Sequence, residues 1–121
     1  ESYHFSIEWE LDGWIYDWRP VVNGVILDAA NGLPTGAISM RFHRALAELL
    51  ANAAKLHRSE TACNRVALSG GCFQNELLLK LGEDQLLTRG FTVLLNHQVP
   101  CNDGGISFGQ AAVAAATLTE E

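Results

Sequence analysis

The stretch "VALSGGCFQNELLLK", residues 66–80, decides how the rest of the chain is read. Arg65 to Leu68 has the length and apolar character of a strand. Ser69, Gly70 and Gly71 interrupt it, and leucines then recur at helical spacing. A strand that passes into a helix over two glycines has two explanations. One is an ordinary tight turn. The other is a loop whose backbone N–H groups approach an anion, with the helix N-terminus adding partial positive charge. Ser69 could add a hydroxyl. The pattern is neither GxGxxG nor a Walker A loop, so by itself it does not choose between the two.

Working outward, the periodicity predicts a helix from about Phe73 to Thr88, with Leu77, Leu78, Leu81, Leu86 and Leu87 facing inward. Gly82 weakens it by about 1 kcal/mol relative to Ala, and Gly90 is a good C′ residue. "FTVLL" (91–95) follows as a second strand, and "ISFGQAAVAAATL" (106–118) as a small-residue helix able to pack closely on a neighbour. A strand–helix–strand crossover of this length suits a right-handed βαβ unit with parallel strands. Both loops after the strands then lie at one sheet edge. "SGG" (69–71) and "CNDGG" (101–105) become neighbours where open α/β sheets bind ligands.

The N-terminal half predicts a hairpin followed by two helices. "YHFSIEW" alternates, with Tyr3, Phe5, Ile7 and Trp9 on one face, and Asp12-Gly13 is a hairpin turn signal. The clustered tryptophans read as a face covering the core or as an interaction surface. Asp17 and Pro20 start a helix carrying Val21, Val22, Val25, Ile26, Ala29 and Ala30. Gly32 and Pro34 end it, and Thr35 can cap the next. That helix is long, about 36 to 58. Its apolar stripe is Ile38, Phe42, Ala45, Leu46, Leu49, Leu50 and Ala53, with His43, Arg44, Glu48, Lys55 and Arg58 mostly off it. "SETACN" (59–64) reads as a loop.

Composition narrows the function classes. The 121 residues suit one domain or a piece of one, and 48% hydrophobic content supports a core. A net charge of −6 with no basic run argues against nucleic-acid binding. No apolar run is long enough to span a membrane, and nothing at the start reads as a signal peptide. The chain begins at Glu1, which suggests an excised segment. Cys63, Cys72 and Cys101 lack CxxC spacing, so free thiols in a reducing, cytoplasmic setting are expected and a structural zinc site is not.

Three features could carry chemistry. Asn75, in the first turn of its helix, is either a cap or an amide that bonds a ligand. Asp103, between Asn102 and Gly104-Gly105, is either an N-cap or a carboxylate presented to a metal or a ligand hydroxyl. His4, His43, His57 and His97 have no metal-ligand spacing among themselves. Cys72 and Cys101 fall on the two candidate loops, but no local base would activate either thiol.

"VALSGGCFQNELLL", "RGFTVLLNHQVPCNDGGISFGQAAVAA" and "RFHRALAELL" (41–50) together resemble the C-terminal end of the hydrogenase maturation carbamoyltransferases, the HypF family. The resemblance is strongest over about residues 40 to 116, and LSGGxFQN followed by NDGGIxxGQ is specific. It implies an α/β half-domain of actin-like (ASKHA, ribonuclease-H-like) topology with an N-terminal β-hairpin and long helices. By this resemblance, residues 1–121 are the C-terminal subdomain of a carbamoyltransferase domain within a larger multidomain protein. The family forms carbamoyl-adenylate from carbamoyl phosphate and ATP. It passes the carbamoyl group to the C-terminal cysteine of a partner, HypE, on the way to the cyanide ligand of nickel–iron hydrogenase. Carried over by position, Ser69, Gly70, Gly71, Asn75, Asn102, Gly104 and Gly105 would bind the nucleotide. Asp103 would ligate a divalent metal (zinc, iron or magnesium) shared with histidines outside this chain. The family's histidine motif is absent here, so the segment alone should be inactive. Two other readings stay open: a kinase or ATPase half-domain of the actin-like superfamily, and a non-catalytic module that docks a partner through the aromatic hairpin.

Overall fold

The computed structural model describes residues 2–120. Strands β1 (Ser6–Glu10) and β2 (Gly13–Asp17) form an antiparallel hairpin. Helices α1 (Arg19–Ala30) and α2 (Thr35–Thr61) follow, and then a β3–α3–β4 unit: β3 (Arg65–Leu68), α3 (Glu76–Thr88) and β4 (Thr92–Leu95). Helix α4 (Ile106–Glu120) ends the described chain. Strands β3 and β4 pair in parallel, with Arg65 opposite Thr92 and Leu68 opposite Leu95. The expected crossover and its shared edge are therefore present.

Local chemistry explains most of the element boundaries. The Asp17 carboxylate accepts the Arg19 backbone N–H at 3.0 Å and its guanidinium at 2.7 Å, which orders the entry to α1, with Pro20 in the first turn. Both α1 and α3 end in Schellman turns. Leu33 N–H bonds Asp28 O behind Gly32, and Phe91 N–H bonds Leu86 O behind Gly90. Gly32 and Gly90 hold φ +77° and +82°, a region glycine enters at no steric cost.

Some boundaries differ from the sequence reading. The hairpin turns over Leu11-Asp12 rather than Asp12-Gly13, because Glu10 pairs with Gly13. Leu11 takes the positive φ, +54°. Thr35 does not cap α2. Pro34 precedes the helix, and no side chain caps it. The helix also runs on through Ser59, Glu60 and Thr61, so the expected loop at 59–64 shortens to its last residues. The segment 71–74 is a separate 3₁₀ turn, and α3 begins only at Glu76.

Two small cores lie along α2, which at 27 residues is about 40 Å long. One is built on Tyr3, Val21 and Ala45, with Phe5 and Val25 against it. The other is built on Ala51, Leu68, Leu86 and Phe91, with Leu50, Phe73 and Val93 among its neighbours. The buried positions of α2 are Ala45, Ala47 and Ala51, while Phe42 stays exposed, so the expected stripe of large residues is not the buried one. Small side chains let α1 and α3 approach α2 closely. In α3 the buried residues are Leu78, Gly82 and Leu86, with Leu77 and Leu87 turned outward. A Cβ on Gly82 would meet Leu50 Cδ1 at 3.1 Å, so this glycine serves helix–helix approach.

Candidate functional site

The two loops predicted to meet at the sheet edge do meet. Gly70 N–H donates to Cys101 O at 2.7 Å, tying the loop after β3 to the loop after β4. The parallel register puts both loops at the C-terminal ends of their strands.

The first loop is open. Ser69, Gly70, Gly71 and Asn75 are all exposed. Gly70 holds φ +104°, which L side chains rarely adopt, so glycine is required by conformation. Gly71 is different: its φ is not positive, and a Cβ there would meet nothing within 4 Å. Nothing among the described residues demands glycine at position 71. Phe73 N–H and Asn75 N–H close the turn onto Gly70 O and Cys72 O.

Asn75 does two jobs within the protein. Its Oδ1 accepts the Leu78 N–H at 3.1 Å and caps α3. Its Nδ2 lies 2.8 Å from His43 Nε2 on α2. The sequence pattern did not reveal this second contact, because the partners are 32 residues apart and meet only through the packing of α2 on α3.

The second loop is built around Asn102. Its Oδ1 accepts the Gly104 N–H at 2.9 Å, and Gly105 N–H bonds Asn102 O. Asn102 therefore caps the short turn over Asp103–Gly105, and Asp103 is not needed as a cap. The Asp103 carboxylate is exposed and has no hydrogen-bond or ion-pair partner among the described residues. Gly104 and Gly105 are packed against their own loop. A Cβ on Gly105 would lie 2.5 Å from Pro100 O, and one on Gly104 would lie 3.0 Å from Asn102 Oδ1. These two glycines thus serve loop closure.

The donor set bears on a metal. Asp103 offers one hard oxygen ligand, of the kind magnesium, zinc or iron accepts. No cluster of three histidine, cysteine or carboxylate groups exists among the described residues. The described residues therefore do not make a complete metal site by themselves. Cys72 and Cys101 are free thiols on the two loops, and neither is hydrogen-bonded through its sulfur among the described residues. Among the described residues no helix is long and apolar enough to cross a membrane.

A parallel βαβ unit beside long helices, with two hydrogen-bonded glycine loops at one strand edge, defines an α/β half-domain with its candidate ligand edge at those loops. Residues 1–110 match the family described as carbamoyltransferase, Kae1-like domain, second subdomain, and the chain belongs to that family. It is similar to carbamoyltransferase HypF of Rhodobacter capsulatus, 36% identical over 129 residues, covering 98% of this chain and 17% of that protein. It is similar also to carbamoyltransferase HypF of Synechocystis sp., 35% identical over 94 residues, covering 78% of this chain and 12% of that one. Among solved structures it resembles full-length HypF in the phosphate- and nucleotide-bound form, with TM-score 0.92 and 40% identity over 98% of this chain and 16% of that chain. The chain thus spans roughly a sixth or less of the length of these relatives. The actin-like class expected from the sequence agrees with this Kae1-like membership.

Proposed function

We propose that this chain is the C-terminal subdomain of a HypF-type carbamoyltransferase and forms one wall of its nucleotide site. The observation that carries the reading is the Gly70–Cys101 hydrogen bond, which sets an open glycine loop and a free carboxylate side by side at one sheet edge. Gly71 supports it: a glycine without a structural reason leaves room for a ligand to approach the backbone.

In this reading the Gly71 backbone N–H and the Ser69 hydroxyl face the nucleotide phosphates, while Gly70, whose own N–H is held by Cys101 O, sets the turn that exposes them. Asn75, Asn102, Gly104 and Gly105 hold the two loops in shape around it. Asp103 is one ligand of a divalent metal whose other ligands, histidines, lie outside this chain. That metal, when bound, would offset charge on the phosphate leaving group. The substrates are carbamoyl phosphate and ATP, converted to carbamoyl-adenylate. The thiolate of a HypE-like partner's C-terminal cysteine then attacks the carbamoyl carbon. A C–S bond forms and the C–O bond to the adenylate phosphate breaks. AMP leaves with the electron pair, stabilised by backbone donors. The product thiocarboxamide is the precursor of a cyanide ligand of the nickel–iron centre. The setting is the cytoplasm.

The test uses the full-length protein with Asp103→Ala and Gly71→Val, following carbamoyl transfer to the partner's cysteine by mass. Neither change disturbs a contact within the fold, so both variants should fold normally and lose transfer. Normal transfer by both would remove the loops from the site. A docking role for the hairpin has its own support, since Trp9 and Trp18 are 54% and 61% exposed and Leu11 92%. Loss of partner binding on Trp9→Ala with carbamoyl-adenylate formation intact would establish it.

A further inference from the structure

His43 sits on α2, away from both loops in sequence, yet it touches the candidate nucleotide loop through Asn75. The hydrogen bonds around it fix one protonation pattern. His43 Nδ1 lies 2.7 Å from Ser39 O, and a carbonyl oxygen can only accept, so Nδ1 carries the proton. Nε2 of the neutral ring is then an acceptor. It faces Asn75 Nδ2, a donor, at 2.8 Å. The opposite end of that amide, Oδ1, faces the Leu78 N–H, a donor, at 3.1 Å. Each contact in this relay joins a donor to an acceptor, and reversing either the ring or the amide breaks two bonds at once.

We propose that His43 is a positioning residue for the nucleotide loop. Its neutral Nδ1–H ring holds the Asn75 amide in one orientation and thereby fixes the end of the 69–75 segment against α2. The inference rests on the nucleotide reading of that loop. It gives a role to the one histidine, among the described residues, that is hydrogen-bonded to a candidate site residue. The Ser39 carbonyl, the imidazole and the Asn75 amide connect the body of α2 to the start of α3. The loop's geometry is set before ligand arrives. One Nδ2 hydrogen and the second Oδ1 lone pair of Asn75 stay available to a ligand.

The discriminating variants follow from atom positions. Gln at position 43 can place an oxygen acceptor near the Nε2 position. Asn reaches only the Nδ1 position, and Ala reaches neither. Binding of a non-hydrolysable ATP analogue to the full-length protein is measured by calorimetry, with KM and kcat for ATP alongside. His43→Ala and His43→Asn should weaken binding roughly tenfold and raise KM with kcat held, while His43→Gln stays within roughly threefold of wild type. The imidazole nitrogen spectrum of the wild type should show the Nδ1–H tautomer. Equal weakening by Gln and Ala, or the opposite tautomer, overturns the proposal. Wild-type binding in all three variants with loss in Asn75→Ala overturns it too, while leaving the loop as the site. If Asn75→Ala and Gly71→Val also bind normally, the nucleotide reading itself falls.

Discussion

Asp28 carries two donors on one carboxylate oxygen, and this sets how the N-terminal core answers to pH. Tyr3 Oη donates to its Oδ2 at 2.6 Å and Arg41 Nη1 at 2.8 Å. The Tyr3 hydroxyl, helped by Arg41 and opposed by burial, holds the Asp28 carboxyl below its ordinary value. Burial, with the Asp28 bond adding to it, pushes the Tyr3 phenol upward. A depressed carboxyl stabilises the fold above its unfolded value, about 3.9, and that stability is lost as pH falls through the folded value. A raised phenol stabilises below about pH 10, and that is lost as pH climbs through its folded value. Melting temperature against pH should therefore be flat between these limits and fall at both ends. Asp28→Asn should soften the acid limb, to which Asp17, held down by Arg19, also contributes. Tyr3→Phe should reduce the alkaline limb, to which the Tyr16 phenol, pushed up by burial, also contributes, and soften the acid one. Parallel acid limbs in wild type and Asp28→Asn would show that this carboxylate is not the group responsible. Gly24 belongs to the same unit, because a Cβ there would meet the Tyr3 ring at 2.6 Å.

Helix α3 can be tested through its start. Asn75 Oδ1 takes one of the unpaired N–H groups of the first turn. Asn75→Ala should cost about 1 kcal/mol in urea unfolding. Asn75→Asp should cost clearly less, since Asp also caps and its charge suits a helix N-terminus. Equal losses would mean that the cap bond contributes nothing and the His43 contact carries the stability. The same element marks what the sequence made legible. The β3–α3–β4 unit could be read because strand-length apolar runs, paired glycines and a C′ glycine are local signals, and the parallel edge follows from chain handedness. Thus the meeting of Gly70 with Cys101 was foreseeable. The buried face of α2 was not: two cores share it, and close approach selected Ala45, Ala47 and Ala51 over the leucines. The hairpin turn slipped by one residue because cross-strand pairing of Trp9 with Trp14, in edge contact at 5.0 Å between ring centroids, outweighs the preference of Asp-Gly for the turn. Asn75 could be read as cap or ligand group, but its histidine partner comes from tertiary packing and left no local trace.

The molecule as a whole exposes more surface than its mass warrants. A monomeric protein of 13.2 kDa is expected to expose about 6,400 Å², and this chain exposes 8339 Å². The surplus, about 1,900 Å², exceeds the roughly 800 Å² one partner gives to a standard interface. Helix α4 accounts for much of it. None of its residues is buried, and Ile106, Phe108, Val113 and Leu118 are each more than half exposed. Its sequence holds a single charge, Glu120, among its 15 residues. A helix of that length is marginal alone in water, and the same arrangement recurs within a chain about six times longer. The face of α4 is therefore expected to be covered by the remainder of its own polypeptide. Hydrogen exchange should show α4 amides exchanging quickly in the isolated 121-residue chain and strongly protected in the full-length protein, with β3 and α3 protected in both. The isolated chain should also bind an apolar-surface dye and sediment above monomer mass, and Val113→Glu with Leu118→Glu should reduce both effects. A dye-silent monomer with a protected α4 would mean that the helix is stable uncovered and that the surplus surface is not an interface.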